Sequence, residues 1–259
     1  MVSISVVIIT LNEEKNIERC IRSVGRIADE IIVVDSASKD KTVEIAQRLN
    51  ATVVNQPFLG YVAQKNFATS LTTHDWVLSL DADEALSPEL EQSILQIKNN
   101  PISCYGYRLK RLTNYCGSWI KHCGWYPDKK LRLYHKEKAQ WKGEKIHEKL
   151  EMNNNADKVG ELGGDLLHYS YYTVSDHIKQ IENFTEIAAR EAVDKGKKVS
   201  LMKILVAPKW KFISDYIFRL GFLDGYAGYQ LCRLSSFATL IKYAKIKQYT
   251  ALKKEGKSF

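Results

Sequence analysis

The chain has 259 residues, 45% of them apolar and 26% charged, the balance of an ordinary globular protein that can bury a core without covalent staples. Five scattered cysteines (Cys20, Cys104, Cys116, Cys123, Cys232) match no zinc spacing and read as free thiols of a reducing compartment. The net charge is +8, yet Lys195–Phe259 holds fourteen Lys/Arg against three Asp/Glu, so the chain before it is about −3. A basic tail on a near-neutral body points to an anionic partner: nucleic acid, anionic lipid or a phosphorylated substrate.

Ile4 to Thr10 is a nearly continuous β-branched run, the mark of a strand buried on both faces. After Asn12-Glu13-Glu14, the apolar residues Ile17, Cys20, Ile21 and Val24 recur at helical spacing. Glu30 to Asp35 is a second buried strand ending in an acid. Ile45, Ala46 and Leu49 form the next apolar stripe, and Thr52 to Asn55 a short third strand. Tyr61 to Ser70 reads as a helix and Trp76 to Leu80 as a fourth strand. This alternation means right-handed βαβ units, a parallel sheet, and a ligand beyond the carboxyl ends of the strands.

The polar residues at those ends are Thr10, Asn12 and Glu13, then Asp35 and Ser36, then Asp81 and Asp83. The i, i+2 spacing of Asp81 and Asp83 puts both on one face of an extended chain, where two hard oxygen ligands suit a divalent cation escorting a diphosphate. The same residues also read as an acidic turn before a helix capped by Ser87-Pro88. No glycine-rich dinucleotide fingerprint and no P-loop occurs. Lys65-Asn66 could add a cation near the diphosphate, or be a solvated helix face.

Together, Thr10-Leu11-Asn12-Glu13-Glu14, Asp35-Ser36-Ala37-Ser38-Lys39-Asp40, Lys65-Asn66 and Leu80-Asp81-Ala82-Asp83-Glu84 resemble the successive motifs of family 2 glycosyltransferases with the GT-A fold. The resemblance implies a mostly parallel central sheet flanked by helices and a nucleotide-diphosphate-sugar donor. By it, Thr10 to Glu13 and Asp35 hold base and ribose, and Lys65 and Asn66 lie near the diphosphate. Asp81 faces ribose and metal, and Asp83 ligates Mg²⁺ or Mn²⁺. One departure is Asp35-Ser36-Ala37 in place of the usual Asp-Gly-Ser.

Beyond residue 101 the pattern changes to alternating strands, Tyr105 to Arg111 and Leu131 to Tyr134, around an aromatic, glycine-rich segment with Tyr115, Trp119, Trp125 and Tyr126. Such a segment suits a sugar acceptor pocket as well as a core. Inverting transfer to a hydroxyl needs a general base. Glu148 is the first candidate, with His147 as alternative or orienting partner and Asp128 second. The runs Trp125-Tyr126-Pro127-Asp128, Arg132-Leu133-Tyr134 and Ile146-His147-Glu148 narrow the resemblance to lipopolysaccharide inner-core β-1,4-glucosyltransferases. That implies UDP-glucose as donor, substrate contacts by Trp125 and Arg132, and His168 as a further metal ligand or diphosphate contact.

The catalytic domain is therefore expected over 1–172, with a nucleotide-sugar half to about residue 100 and an acceptor half after it. A basic, aromatic helical extension follows over 173–259. Ile178, Ile181, Phe184, Ile187 and Ala188 mark one helix face, and Gly221 to Gly225 a break between later helices. Asp215, Arg219, Asp224 and Arg233 interrupt every candidate span, so the extension reads as amphipathic helices against an anionic membrane, or as packing on the domain or in a homodimer. The whole implies a cytoplasmic enzyme, peripheral on the inner face of the cytoplasmic membrane, acting on a lipid-linked saccharide. A polyprenyl-phosphate or peptide acceptor is the alternative. A nucleic-acid-binding role ranks far below, because carboxylates at the strand tips repel phosphates unless a cation intervenes.

Overall fold

The computed structural model describes residues 2–100, 102–143 and 148–257. The chain divides into two compact units, residues 1–112 with 127–169, and residues 113–126 with 170–259. The segment 113–126, expected in the acceptor half, thus groups with the helical extension.

In the first unit the chain runs β1 (Ile4–Thr10), α1 (Ile17–Val24), β2 (Glu30–Asp35), α2 (Thr42–Arg48), β3 (Thr52–Asn55), α3 (Tyr61–Ser70) and β4 (Trp76–Asp81). It continues through β5 (Glu84–Leu86), α4 (Pro88–Asn99), β6 (Gly106–Tyr115), β7 (Ser118–Ile120), β8 (Asp128–His135), β9 (Ala139–Lys142), β10 (Lys149–Met152) and β11 (Val159–Tyr171). The ends of β6 and β11 and all of β7 lie in the second unit. The main sheet has the order β3-β2-β1-β4-β8-β6-β11-β5. It is parallel from β3 to β4 and antiparallel at β4–β8, β8–β6 and β11–β5. The β-branched run of β1 is buried because it sits between β2 and β4 with a core on each face. Ile8, Leu80 and Leu78 pack under α1 and α4. Val7, Val34, Val77 and Tyr134 pack with Ala68 of α3 and with Trp141 and Leu150 of the β9–β10 hairpin. Each such side chain contributes about 1.5–3 kcal/mol of transfer free energy.

Register brings the polar strand ends together. Thr10 lies opposite Asp35, and Ile9 opposite Asp81. Ser87 caps α4, its Oγ accepting from the Leu90 N–H with Pro88 in the first turn, as its sequence predicts. The short β5 before it was not expected. It forms because β11 pairs antiparallel with it, Leu166 opposite Leu86 and His168 opposite Glu84. Gly164 lets β11 pass the start of α4: its φ is +83°, and a Cβ there would meet the Leu90 nitrogen at 2.2 Å.

The second unit contains α5 (Val174–Asp194), α6 (Leu201–Ile213), a π-helical turn (Ser214–Phe218), a 3₁₀ turn (Gly221–Asp224) and α7 (Gly225–Lys254). Thr173 and Asp176 form a reciprocal capping box on α5. Ala189, Val193 and Ile246 join α5 to α7, reinforced by Lys245 between Glu182 (2.9 Å) and Glu186 (3.1 Å). The expected break at Gly221–Gly225 is the 3₁₀ turn. Asp224 there accepts the backbone N–H groups of Lys121 and His122. All five cysteines are free, with Cys123 and Cys232 Sγ atoms 3.4 Å apart in the unit's core. Among the described residues no helix is long and apolar enough to cross a membrane.

Candidate active site

At the tip of β4 a buried charge network forms from segments far apart in sequence. Lys65 Nζ of α3 lies 3.0 Å from Asp81 Oδ1 and 3.5 Å from Glu148 Oε1, with the ammonium 4.4 Å from the centre of the Trp141 ring. Arg132 Nη2 of β8 donates to Asp81 Oδ2 (2.9 Å) and to Glu84 Oε1 (2.8 Å). Glu84 Oε2 accepts the Asp81 N–H, and Arg111 Nη1 stands 3.7 Å from Glu84. Lys65, Glu84 and Arg132 are all buried. Burial alone would raise the Asp81 pKa, but the Lys65 ammonium and Arg132 guanidinium outweigh it and hold the carboxyl far below its usual range. Burial likewise acts to lower the Arg132 pKa, and Glu84 and Asp81 overcome it, so the guanidinium stays charged.

Asp83 points elsewhere. The β11–β5 pairing sets His168 Nε2 3.1 Å from Asp83 Oδ2, and the Tyr169 N–H donates to the Asp83 carbonyl at 2.9 Å. Burial would lower the His168 pKa, but the Asp83 carboxylate raises it above the ordinary imidazole value. Among the described residues no three His, Cys, Asp or Glu side chains converge on a cation position. Of this pair, Asp83 offers the oxygen ligand that a hydrated divalent cation takes, and His168 a nitrogen beside it. Asp81, expected beside Asp83 in the metal shell, has both oxygens on cationic side chains instead.

The remaining sequence candidates are distributed as follows. Thr10 is buried, and its Oγ1 has no hydrogen-bond partner among the described residues. Asn12 adopts φ +55° and ties to the next loop, its N–H donating to Ser38 Oγ and its Oδ1 accepting from Lys39 N (both 2.8 Å). Glu13 accepts from Asn16 Nδ2, and burial raises its pKa. Asp35 accepts the Ser38 N–H and hydroxyl, closing a turn in which Ala37 takes φ +66°. Asn66 is spent on structure, clamping β9 through the Trp141 C=O (3.0 Å) and N–H (3.1 Å). Asp128 is ion-paired with Arg111 (2.7 Å) and Lys130 (3.1 Å). Trp125 belongs to the second unit, where its ring centre is 6.1 Å from that of Tyr171. His147 lies outside the described residues.

Glu148 faces a cavity of about 730 Å³ that Lys65, Asp81, Arg132 and Trp141 also line. Three contributors were not singled out from sequence. Glu84 was visible as the third acid of the 81–84 cluster, whereas Arg111 and Trp141 carried no local signal.

Comparison with known proteins gives the family. Residues 5–153 match the family described as "Glycosyl transferase family 2". The chain belongs to glycosyltransferase family 2. Among relatives of this glycosyltransferase, an uncharacterized glycosyltransferase of Rickettsia typhi is 36% identical over 256 residues, covering 96% of this chain and 88% of the other. The lipopolysaccharide core biosynthesis glycosyltransferase LpsC of Rhizobium meliloti is 29% identical over 262 residues, covering 96% and 94%. Among solved structures, glucosyl-3-phosphoglycerate synthase of Mycobacterium tuberculosis, in complex with Mn²⁺, UDP and glucosyl-3-phosphoglycerate, is 27% identical over 45% of each chain, with a TM-score of 0.36.

Proposed function

We propose that this glycosyltransferase moves a hexose, glucose from UDP-glucose, with inversion onto a sugar hydroxyl of a lipid-linked saccharide such as the lipopolysaccharide inner core. The observation that carries the reading is the convergence of Asp81, Lys65 and Glu148 on one cavity at the strand tips, with Asp83, two residues after Asp81, paired to His168. The acceptor class is supported by the near full-length relationship to LpsC.

In this reading Glu148 takes the acceptor hydroxyl proton as the new bond to the anomeric carbon forms and the bond to the diphosphate breaks. Lys65 fixes Glu148 and Asp81 together, and its own burial keeps it from wandering to solvent. Asp81 lies level with the end of β1, beside Thr10 and Asp35, where the nucleoside would be held. Asp83 and His168 would hold Mg²⁺ or Mn²⁺, which when bound neutralises charge on the leaving diphosphate.

The second unit supports contact with a membrane surface at the cytoplasmic face. Met202, Leu205, Trp210, Ile217 and Phe218 are each more than half exposed on α6 and the turn after it, with Lys203, Lys209 and Lys211 among them.

The test is binding and slow hydrolysis of a nucleotide-sugar panel in Mn²⁺, Mg²⁺ or EDTA, with Asp83→Ala alongside. Cation-dependent binding of UDP-glucose, weakened at least tenfold in the variant, is expected. Preference for another nucleotide sugar, or binding indifferent to EDTA and to the substitution, would overturn the assignment.

A further inference from the structure

The cavity beside Glu148 is cationic in a chain whose first 194 residues carry a net charge of about −3. Its lining holds seven Lys/Arg against four Asp/Glu, an excess that a neutral hexose does not need. Two observations locate that excess. Arg132 is 3% exposed, and while its Nη2 serves Asp81 and Glu84, its Nε and Nη1 have no hydrogen-bond partner among the described residues. Buried donors without acceptors are costly, and Nε and Nη1, on different edges of the guanidinium, can each donate a single charge-assisted hydrogen bond to a carboxylate or phosphate oxygen. Arg108 and Lys149 also line the cavity, are exposed, and form no ion pair within 4 Å among the described residues, Arg108 acting only at longer range on Glu161. The neighbouring cations are occupied: Lys129 by Glu161 (2.7 Å), Lys130 and Arg111 by Asp128.

We propose that this cavity takes an acceptor bearing a negative charge, a saccharide with a carboxylate or phosphate group, which Arg132, Arg108 and Lys149 hold so that a hydroxyl faces Glu148. The proposal rests on the transferase reading of the site and adds the acceptor's charge. The cations select by Coulomb attraction in a partly desolvated pocket, so recognition weakens with salt. An uncharged sugar would leave the Arg132 donors unanswered and bind poorly. The same chemistry could instead serve the donor's own diphosphate, and the two sources separate experimentally.

The full chain would be titrated calorimetrically with mannose 6-phosphate, glucuronate and methyl mannoside, and separately with UDP in Mn²⁺. Wild type would be set against the Arg108→Ala/Lys149→Ala double variant, whose substitutions are on exposed side chains and leave the core intact. The expected result is binding of the charged sugars, at least tenfold tighter than methyl mannoside. The double variant should weaken it about tenfold while UDP affinity stays within twofold. Equal binding of charged and neutral sugars would overturn the proposal. So would a parallel loss of UDP affinity in the double variant, which would assign these cations to the donor. If UDP fails to bind wild type while the charged sugars bind as expected, the donor reading falls and the anion site stands.

Discussion

Replacing Lys65 with methionine removes one charge from the centre of the site and keeps most of the side-chain volume against Trp141. The Lys65 side chain is 2% exposed, and its ammonium lies 3.0 Å from Asp81 and 3.5 Å from Glu148. Breaking a buried ion pair by deleting one partner typically costs about 3–5 kcal/mol, because the remaining charge is left uncompensated. Asp81 keeps Arg132 at 2.9 Å, so the lower end applies, about 3 kcal/mol. Urea denaturation at pH 7.5 measures it, provided the slope with denaturant is unchanged, since a chain of two compact units can depart from two-state behaviour. A double-mutant cycle with Glu148→Gln separates the second contact, and a coupling of about 1 kcal/mol is expected for a pair 3.5 Å apart with Glu148 partly open to solvent. Transfer or donor hydrolysis should fall at least tenfold, since Asp81 and Glu148 would then repel each other across the cavity. A Lys65→Met protein within about 0.5 kcal/mol of wild type, additive with Glu148→Gln and fully active, would refute the argument that Lys65 organises this site.

Three further outcomes can be checked separately. His177 is buried beside Tyr115, and burial pushes its pKa down to about 4. The unfolded chain protonates it near pH 6.5, so acidification from about 6.5 to 4 should cost up to about 3 kcal/mol, with no further loss from this group below that. His177→Phe should flatten the melting-temperature profile over that window, and an NMR titration with a midpoint above 6 would contradict it. Ala37 is held at φ +66°, where a Cβ costs about 1–2 kcal/mol. Ala37→Gly, after the entropy cost of glycine, should therefore stabilise the fold by about 0.5–1 kcal/mol by thermal denaturation, and a destabilised variant would show the loop is held by more than Asp35 and Ser38. Trp210→Ser with Phe218→Ser should reduce sedimentation with phosphatidylglycerol vesicles at least fivefold without lowering the melting temperature; unchanged vesicle binding would remove the exposed apolar row from any membrane role.

Local physics made much of the catalytic frame readable in the one-dimensional chain. Ile4–Thr10 could only be a strand buried on both faces, α1 announced itself through Ile17, Cys20, Ile21 and Val24, and Ser87-Pro88 marked the start of α4. The alternation of these elements dictated a parallel sheet, and a parallel sheet dictated that Thr10, Asp35 and Asp81 meet at one edge. Those statements depend on periodicity and handedness over a few residues, which sequence carries directly. Which partner each charge chose was not local. His168 reaches Asp83 only because β11 runs antiparallel to β5 in a particular register. Asp81 is claimed by Lys65 and Arg132, Asn66 by the backbone of Trp141, and Asp128 by Arg111. A buried charge must find whatever counter-charge the packed fold brings within about 3–4 Å, and only the tertiary structure decides which residue that is.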